Sequence, residues 1–309
     1  MEYSVLGKTG LKVSRLSFGG SSLGGVFRKT DQEEAIRTVF TAIDLGINFI
    51  DCSPFYGITK AETVLGKALK DIPRDKFYMA TKVGRYGDAE FDFSAQRVTT
   101  SVDESLRRLN IDYIDLIQCH DIEFGSLDLV VNETIPALRR VVERGKARFV
   151  GITGLPLKIF RYVMDRTPVD TILSYCHYSL NDASLEQLIT YLEGKQVGII
   201  SASPLSMRLL TERGAPVWHP APEEIKTACV KASAFCRSKG VDISQLALQF
   251  ALANPKIDTT LVGTASPENL KKNVKWLESP LDQELLAGVQ EIMKPIQNKT
   301  WSSGRPENN

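Results

Sequence analysis

A chain of 309 residues, 43% hydrophobic and 24% charged, carries enough apolar content for a large core. Its formal net charge of +1, with no long run of either sign, leaves no electrostatic footprint for nucleic acid or an anionic membrane. Small-molecule partners fit better. No apolar run approaches the roughly 18 residues that a membrane helix needs, and MEYSVLGKTG shows no secretory leader. Five scattered cysteines without a CxxC pair read as free thiols, which places the expected location in the cytoplasm.

In chain order, YSVLGKTGLKVSRL predicts a hairpin within residues 1–14, turning at Gly7–Gly10. Short apolar strands then follow at Leu16–Phe18, Asn48–Asp51, Phe77–Lys82, Ile114–His120, Phe149–Thr153, Thr171–Tyr175, Val197–Ser201 and Thr259–Val262. Each has the β-branched or aromatic content of a strand buried on both faces. Amphipathic helices alternate with them. TDQEEAIRTVFTAIDLG opens on a Thr30–Glu33 capping box and carries Ile36, Val39, Phe40 and Ile43 on one face. SAQRVTTSVDESLRRLN spaces Val98, Val102, Leu106 and Leu109 as a helix does.

Eight such units predict a parallel (β/α)8 barrel of the TIM type, one domain over residues 1–309, with an N-terminal β-hairpin and an extra C-terminal helix and loop. A doubly wound open sheet is the runner-up. It loses ground because the first βα turn, FGGSSLGG, opens no helix with GxGxxG, so its glycines read as a flexible loop. The polar tail 297–309 is expected to be mobile unless Trp301 anchors it.

Barrel chemistry sits at the C-terminal ends of strands, and three of these strands end in an ionisable residue: Asp51, Lys82 and His120. Side chains alternate along a strand, so His120 shares a face with Gln118 and Leu116. Neighbouring strands lie about 4.8 Å apart, which brings the three groups together, with Tyr56 folding back over them from the next loop. Any one of these residues has an ordinary structural use, as a cap, a core histidine or a packing ring. Four on one rim do not. Cys119 adjoins His120 but points to the opposite face, and three histidines without an HxH pair make a metal site improbable. A lysine about 4 Å from a phenol favours the phenolate by up to roughly 3 pK units. Asp51 is then expected to position Lys82, Lys82 to tune Tyr56, and Tyr56 to exchange a proton with a substrate oxygen.

At these residues the sequence resembles the aldo-keto reductases. GINFIDCSPFYG carries Gly46, Asp51, Tyr56 and Gly57 of the family signature, YMATKVG its lysine as Lys82, and IDLIQCHD its histidine as His120. The resemblance spans nearly the whole chain. It implies a nicotinamide cofactor, Tyr56 as general acid/base and His120 orienting the reacting oxygen. Carried over residue by residue, the cofactor positions are Thr153, Tyr175, Ser203, Leu205, Gly263, Thr264, Ser266, Asn269 and Asn273. Some depart from the common pattern. Thr153-Gly154 stands where many members have Ser-Asn, Ala202 where an aromatic often stacks, and Tyr175 where a glutamine is usual. Lysine and arginine are absent at Gly263 and Asn269 and Glu268 adds negative charge, so NAD is the cofactor expected, although Lys271 and Lys272 could reach across.

Within the family, CHDIEFGSLDLVVNETIPALRRVVERGKARFVGITGLPL and LSYCHYSLND resemble the members that oxidise a sugar at its anomeric carbon. L-Galactose is the substrate this implies, with the 1,4-lactone on the route to ascorbate as product. Candidate sugar-binding residues are Phe27, Phe55, Tyr86, Asp121, Phe124 and Trp218. Another aldose 1-dehydrogenase, an aldehyde or pyridoxal reductase, and a non-catalytic cofactor-sensing subunit of the same fold stay open as alternatives. A monomer or weak homodimer is expected.

Overall fold

All eight predicted strands form, and they close on themselves. The computed structural model describes residues 1–26 and 29–309. Its strands are β1 (Tyr3–Val5), β2 (Lys12–Ser14), β3 (Leu16–Gly19), β4 (Phe49–Asp51), β5 (Tyr78–Val83), β6 (Ile114–Cys119), β7 (Ala147–Gly154), β8 (Thr171–Tyr175), β9 (Gly198–Ala202) and β10 (Thr259–Gly263). The first two pair antiparallel as a hairpin, with Tyr3 opposite Ser14. The other eight form a closed parallel barrel in sequence order, shut by β10 against β3 with Val262 opposite Phe18. Closure excludes the open doubly wound sheet. It also leaves no exposed edge.

Alternation along the strands divides the apolar residues into layers. Inward-facing Phe49, Ala80, Leu116, Leu173, Ile200 and Leu261 fill the barrel, and Leu6, Leu11 and Val13 of the hairpin complete that cluster. Outward-facing Ile117, Val150, Ile152 and Ile172 pack against the surrounding helices. Ala95–Leu109 is the helix that its spacing predicts. Ser94 caps its N-terminus, and Asn110 ends it in the left-handed region at φ 56°.

Two details correct the sequence reading, and a third meets the exception it allowed, a tail anchored at Trp301. The helix Gln32–Asp44 is capped by Asp31, whose carboxylate accepts the Glu34 N–H, and not by a Thr30–Glu33 box. Thr30 instead donates to the Ser22 carbonyl, 3.0 Å away. The buried face of that helix centres on Ala35, Val39 and Ala42, with Ile36, Phe40 and Ile43 flanking it. Second, the glycines of FGGSSLGG serve close packing. A Cβ on Gly57 would lie 2.2 Å from the Gly24 carbonyl oxygen, and one on Gly24 would lie 2.6 Å from the Tyr56 carbonyl oxygen. The two turns meet backbone to backbone.

Third, the polar tail is docked. Trp301 lies edge-on to His219 at 5.1 Å, and the Asn308 side chain donates to the carbonyls of Glu123 (2.8 Å) and Gly125 (3.1 Å). The Arg305 N–H donates to the same Glu123 carbonyl. Composition suggested mobility, but these contacts satisfy the tail's polar groups against the loop after β6. No helix among the described residues is long and apolar enough to cross a membrane.

Candidate active site

The C-terminal ends of β4, β5 and β6 bring Asp51, Lys82 and His120 to one rim, as the alternation requires. The ladder places Lys82 opposite Gln118 and Asp51 opposite Ala80. Lys82 is 1% exposed and uses all three ammonium protons. One goes to Asp51 Oδ1, one to the Cys52 carbonyl at 2.8 Å, and one to Tyr56 Oη at 3.3 Å. Gln118, inward-facing two residues before His120, donates to the other oxygen of Asp51 at 2.7 Å. The Tyr56 and His120 rings meet edge to face with centroids 5.7 Å apart. The turn after Tyr56 is strained: Ile58 and Thr59 sit at φ 49° and 68°, which β-branched residues avoid.

The electrostatics differ from the simple lysine-phenol picture. Burial pushes the Tyr56 phenol up to about 12; the Lys82 charge pulls it down, while Asp51 and Asp121 push it further up. Lys82 satisfies Asp51 first, so its field reaches the phenol already partly neutralised. Burial opposes the Lys82 charge, yet Asp51 and Tyr56 hold its pKa above the ordinary value. Burial also raises the Asp51 carboxyl, against the pull of Lys82. Desolvation lowers His120 to about 3, with Asp121 opposing, so the imidazole is neutral at ordinary pH.

Beside His120 stands a second charged pair that the sequence did not advertise. Arg85 donates to Asp121 Oδ2 at 2.5 Å, and that oxygen lies 3.6 Å from His120 Nε2. Burial raises the Asp121 carboxyl, but the neighbouring His120 and Arg85 outweigh it and leave it below the ordinary value. Thr153 Oγ1 accepts the Asp121 N–H at 2.9 Å and donates to its carboxylate at 3.3 Å. The Arg85 guanidinium lies 3.8 Å from the Phe55 ring centroid, 5.2 Å from Phe91 and 5.3 Å from Phe124. Of the candidate sugar residues, Phe55, Asp121 and Phe124 therefore share one wall.

Tyr86 does not join them. Its buried hydroxyl accepts the Gly84 N–H at 3.1 Å and its ring lies against Arg97, a packing role. Trp218 is 54% exposed and stacks on His219, next to Trp301. Phe27 lies outside the described residues. The missed residues Gln118, Arg85 and Ser53 each hold a charged or ring partner. Gln118 was legible from its shared face with His120. Arg85 follows Lys82 by three residues, yet nothing local marks it.

The expected cofactor positions lie on the same rim. Thr153 ends near His120, and the Tyr175 hydroxyl donates to Glu123 at 3.3 Å. An asparagine at position 154 would require the ends of two side chains to move: a Cβ there would lie 2.6 Å from Glu123 Oε2 and 2.3 Å from Ile159 Cδ1. Ser203 turns in the left-handed region at φ 58°, and Leu205 packs on the adjoining apolar cluster. A Cβ on Gly263 would stand 3.2 Å from Ser21 Oγ and 3.4 Å from Ser22 Oγ, so the strand ends close to two serine hydroxyls. The helix Pro267–Trp276 begins at Ser266 with no side-chain cap on its first-turn N–H groups. Thr264 accepts the Ser266 N–H, and Asn269 and Asn273 follow on the helix. This donor set fits a cofactor phosphate.

The family model "Aldo/keto reductase family" matches residues 15–294. The chain belongs to the aldo/keto reductase family. L-Galactose dehydrogenase of Arabidopsis thaliana is 54% identical over 100% of this chain and 99% of that one. D-Arabinose 1-dehydrogenase of Saccharomyces cerevisiae is 32% identical, covering 95% of each. A holo-form aldo-keto reductase structure from Bacillus halodurans superposes with a TM-score of 0.79 over 99% of each chain, at 29% identity. The chain is thus an oxidoreductase of a family that binds nicotinamide cofactors.

Proposed function

We propose that this enzyme oxidises a free aldose at C1 with NAD, and that L-galactose is its preferred substrate. The observation that carries the reaction class is Tyr56 Oη held by Lys82 Nζ at 3.3 Å beside a neutral His120. Support for the sugar comes from the 54% identity to a protein named L-galactose dehydrogenase.

The residues divide the work by their chemistry. The first-turn N–H groups after Ser266, with Thr264, Asn269 and Asn273, would hold the phosphate end, and Thr153 and Tyr175 would lie towards the nicotinamide. When bound, the oxidised cofactor supplies the hydride acceptor. Tyr56, as phenolate, takes the proton of the anomeric hydroxyl, and Lys82 stabilises the negative charge that Tyr56 carries beforehand. His120 holds the same oxygen. As the C1–H bond breaks with its electron pair, C1 gains a double bond to that oxygen, and the product is a lactone. Asp121 accepts from sugar hydroxyls while Phe55 and Phe124 offer ring faces. The preference for NAD rests on the missing cations at Gly263 and Asn269 and on exposed Glu268. Lys272, which could have supplied the charge, is directed to Asp242 at 3.2 Å.

The test is a panel of free sugars with NAD, followed as reduced cofactor. L-Galactose is expected to be oxidised by ~10²-fold or more faster than D-galactose, because a site built to bind hydroxyls rejects misplaced ones strongly. Equal rates on the two enantiomers, or activity confined to hydrophobic aldehydes, would leave a general aldehyde reductase instead.

A further inference from the structure

Ser53 lies two residues beyond Asp51 in the turn after β4, is fully buried, and has no place in the reaction as described so far. Its Oγ makes two contacts: it accepts the Phe55 N–H at 3.1 Å and lies 2.9 Å from His120 Nδ1. The Phe55 amide can only donate, so that bond leaves the serine's own proton to be placed. Among the described residues, the one acceptor within reach of that proton is His120 Nδ1. Were Nδ1 protonated, two hydrogens would face Ser53 Oγ and its own buried O–H would be left without a partner. An unmade buried hydrogen bond costs about 1–3 kcal/mol.

The other side of the ring agrees independently. Asp121 Oδ2 lies 3.6 Å from Nε2 and is held ionised by Arg85. A carboxylate oxygen facing a bare nitrogen lone pair is repelled; facing an N–H it is attracted. Both contacts demand the same tautomer.

We propose that Ser53 is a positioning residue that donates to His120 Nδ1 and so fixes the imidazole as the Nε2–H donor aimed at the reacting oxygen. The inference rests on the dehydrogenase reading for its catalytic consequence, though not for the tautomer itself. With Nε2 already protonated and the ring neutral, His120 holds the substrate oxygen but has no free site to take its proton. Proton removal is left to Tyr56 alone. The serine in DCSPFYG thereby separates the two roles.

The direct test is nitrogen NMR on the full chain labelled with ¹⁵N-histidine, without substrate. There are three histidines, and His120→Asn identifies the signal that disappears. The wild-type His120 is expected to show a protonated Nε2 and a bare Nδ1; a protonated Nδ1 would overturn the proposal. In Ser53→Ala the His120 signals are expected to move towards a mixture of tautomers. kcat for the aldose should fall by ~10-fold with KM changing less than about twofold, and Ser53→Thr should restore both. Unchanged His120 signals together with unchanged kcat in Ser53→Ala would also overturn it. A correct tautomer with no turnover of any aldose would instead reject the dehydrogenase reading and leave the ring assignment standing.

Discussion

The two ends of the barrel are built from the same strands by the same alternation, and they differ completely. At the N-terminal end the inward positions are Phe49, Ala80 and Leu116, sealed by Leu6, Leu11 and Val13 of the hairpin. Two residues further along each strand, the inward positions are Asp51, Lys82 and Gln118, and a further two bring His120. The hairpin end is fastened by backbone bonds such as Lys8 N–H to the Gln196 carbonyl at 2.8 Å. The mouth is held by buried charges that exist in pairs, Asp51 with Lys82 and Asp121 with Arg85. A buried ion pair is weak evidence for stability, since well-packed apolar residues often do as well. One end therefore stabilises the barrel, and the other keeps the polar groups that the proposed chemistry would use.

The sharpest way to separate the two ends is to remove one oxygen at the mouth. Tyr56→Phe should lower kcat by ~10²-fold or more with the fold intact. Near-normal turnover in that variant would move the acid/base role elsewhere. The wild-type pH profile bears on the same residue. In the proposed mechanism oxidation needs the phenolate, and burial holds Tyr56 up at about 12, so kcat/KM should rise with pH over the range of about 6 to 10. His120, held down at about 3, should add no inflection there. A distinct step near the ordinary histidine range would contradict this account.

The converse change belongs to the other end. Leu6→Ala removes a fully buried side chain from the barrel floor and should cost about 2–5 kcal/mol in urea unfolding. kcat and KM for the surviving folded enzyme should stay within about twofold, because Leu6 belongs to the floor cluster with Leu11 and Val13. Loss of activity in step with stability would mean that the two ends are coupled.

A smaller effect is expected at the rim outside the catalytic cluster. Asn269→Arg, on the first turn of Pro267–Trp276, should shift the NAD:NADP ratio of kcat/KM by ~10-fold towards NADP by pairing with the added phosphate. A wild type equally efficient on NADP would show that another cation, such as Lys271, already fills that role.

A pH-dependent effect concerns Glu123, which joins the mouth to the docked tail. Its Oε1 accepts from Leu155 N–H at 3.1 Å, Ser303 at 3.0 Å and Tyr175 at 3.3 Å, and burial pushes it up to about 8. Between the ordinary carboxylate range and pH 8 the unfolded chain gives up this proton while the folded chain keeps it. The folded state then binds more protons, so stability falls as pH rises through that window. Glu123→Gln has no proton to lose. Its Tm should match wild type near pH 4.5 and exceed it by a margin that grows to a few kcal/mol in stability (~1.4 kcal/mol per pH unit) towards pH 8. A constant difference across the range would show that the carboxyl is ionised in the folded protein.

Much of this protein is written locally. Strand positions follow from short β-branched runs, and alternation alone assigns Asp51, Lys82, Gln118 and His120 to one inner face, because side chains on a pleated strand have a period of two. The helix Ala95–Leu109 and the hairpin are equally local. What the linear order does not carry is which charges meet across strands and how much solvent they keep. The Tyr56 phenol is the clearest instance: proximity to Lys82 predicts a lowered pKa, whereas burial and two nearby carboxylates raise it. Tyr86 reads as a wall of the pocket and instead packs against Arg97, and a tail whose composition suggests mobility is fixed by Glu123 and Gly125. The sequence by itself thus determined the barrel, its polar rim and the four residues at the centre. Only the tertiary structure decided their partners and protonation, because desolvation and Coulomb terms depend on distances between residues far apart in the chain.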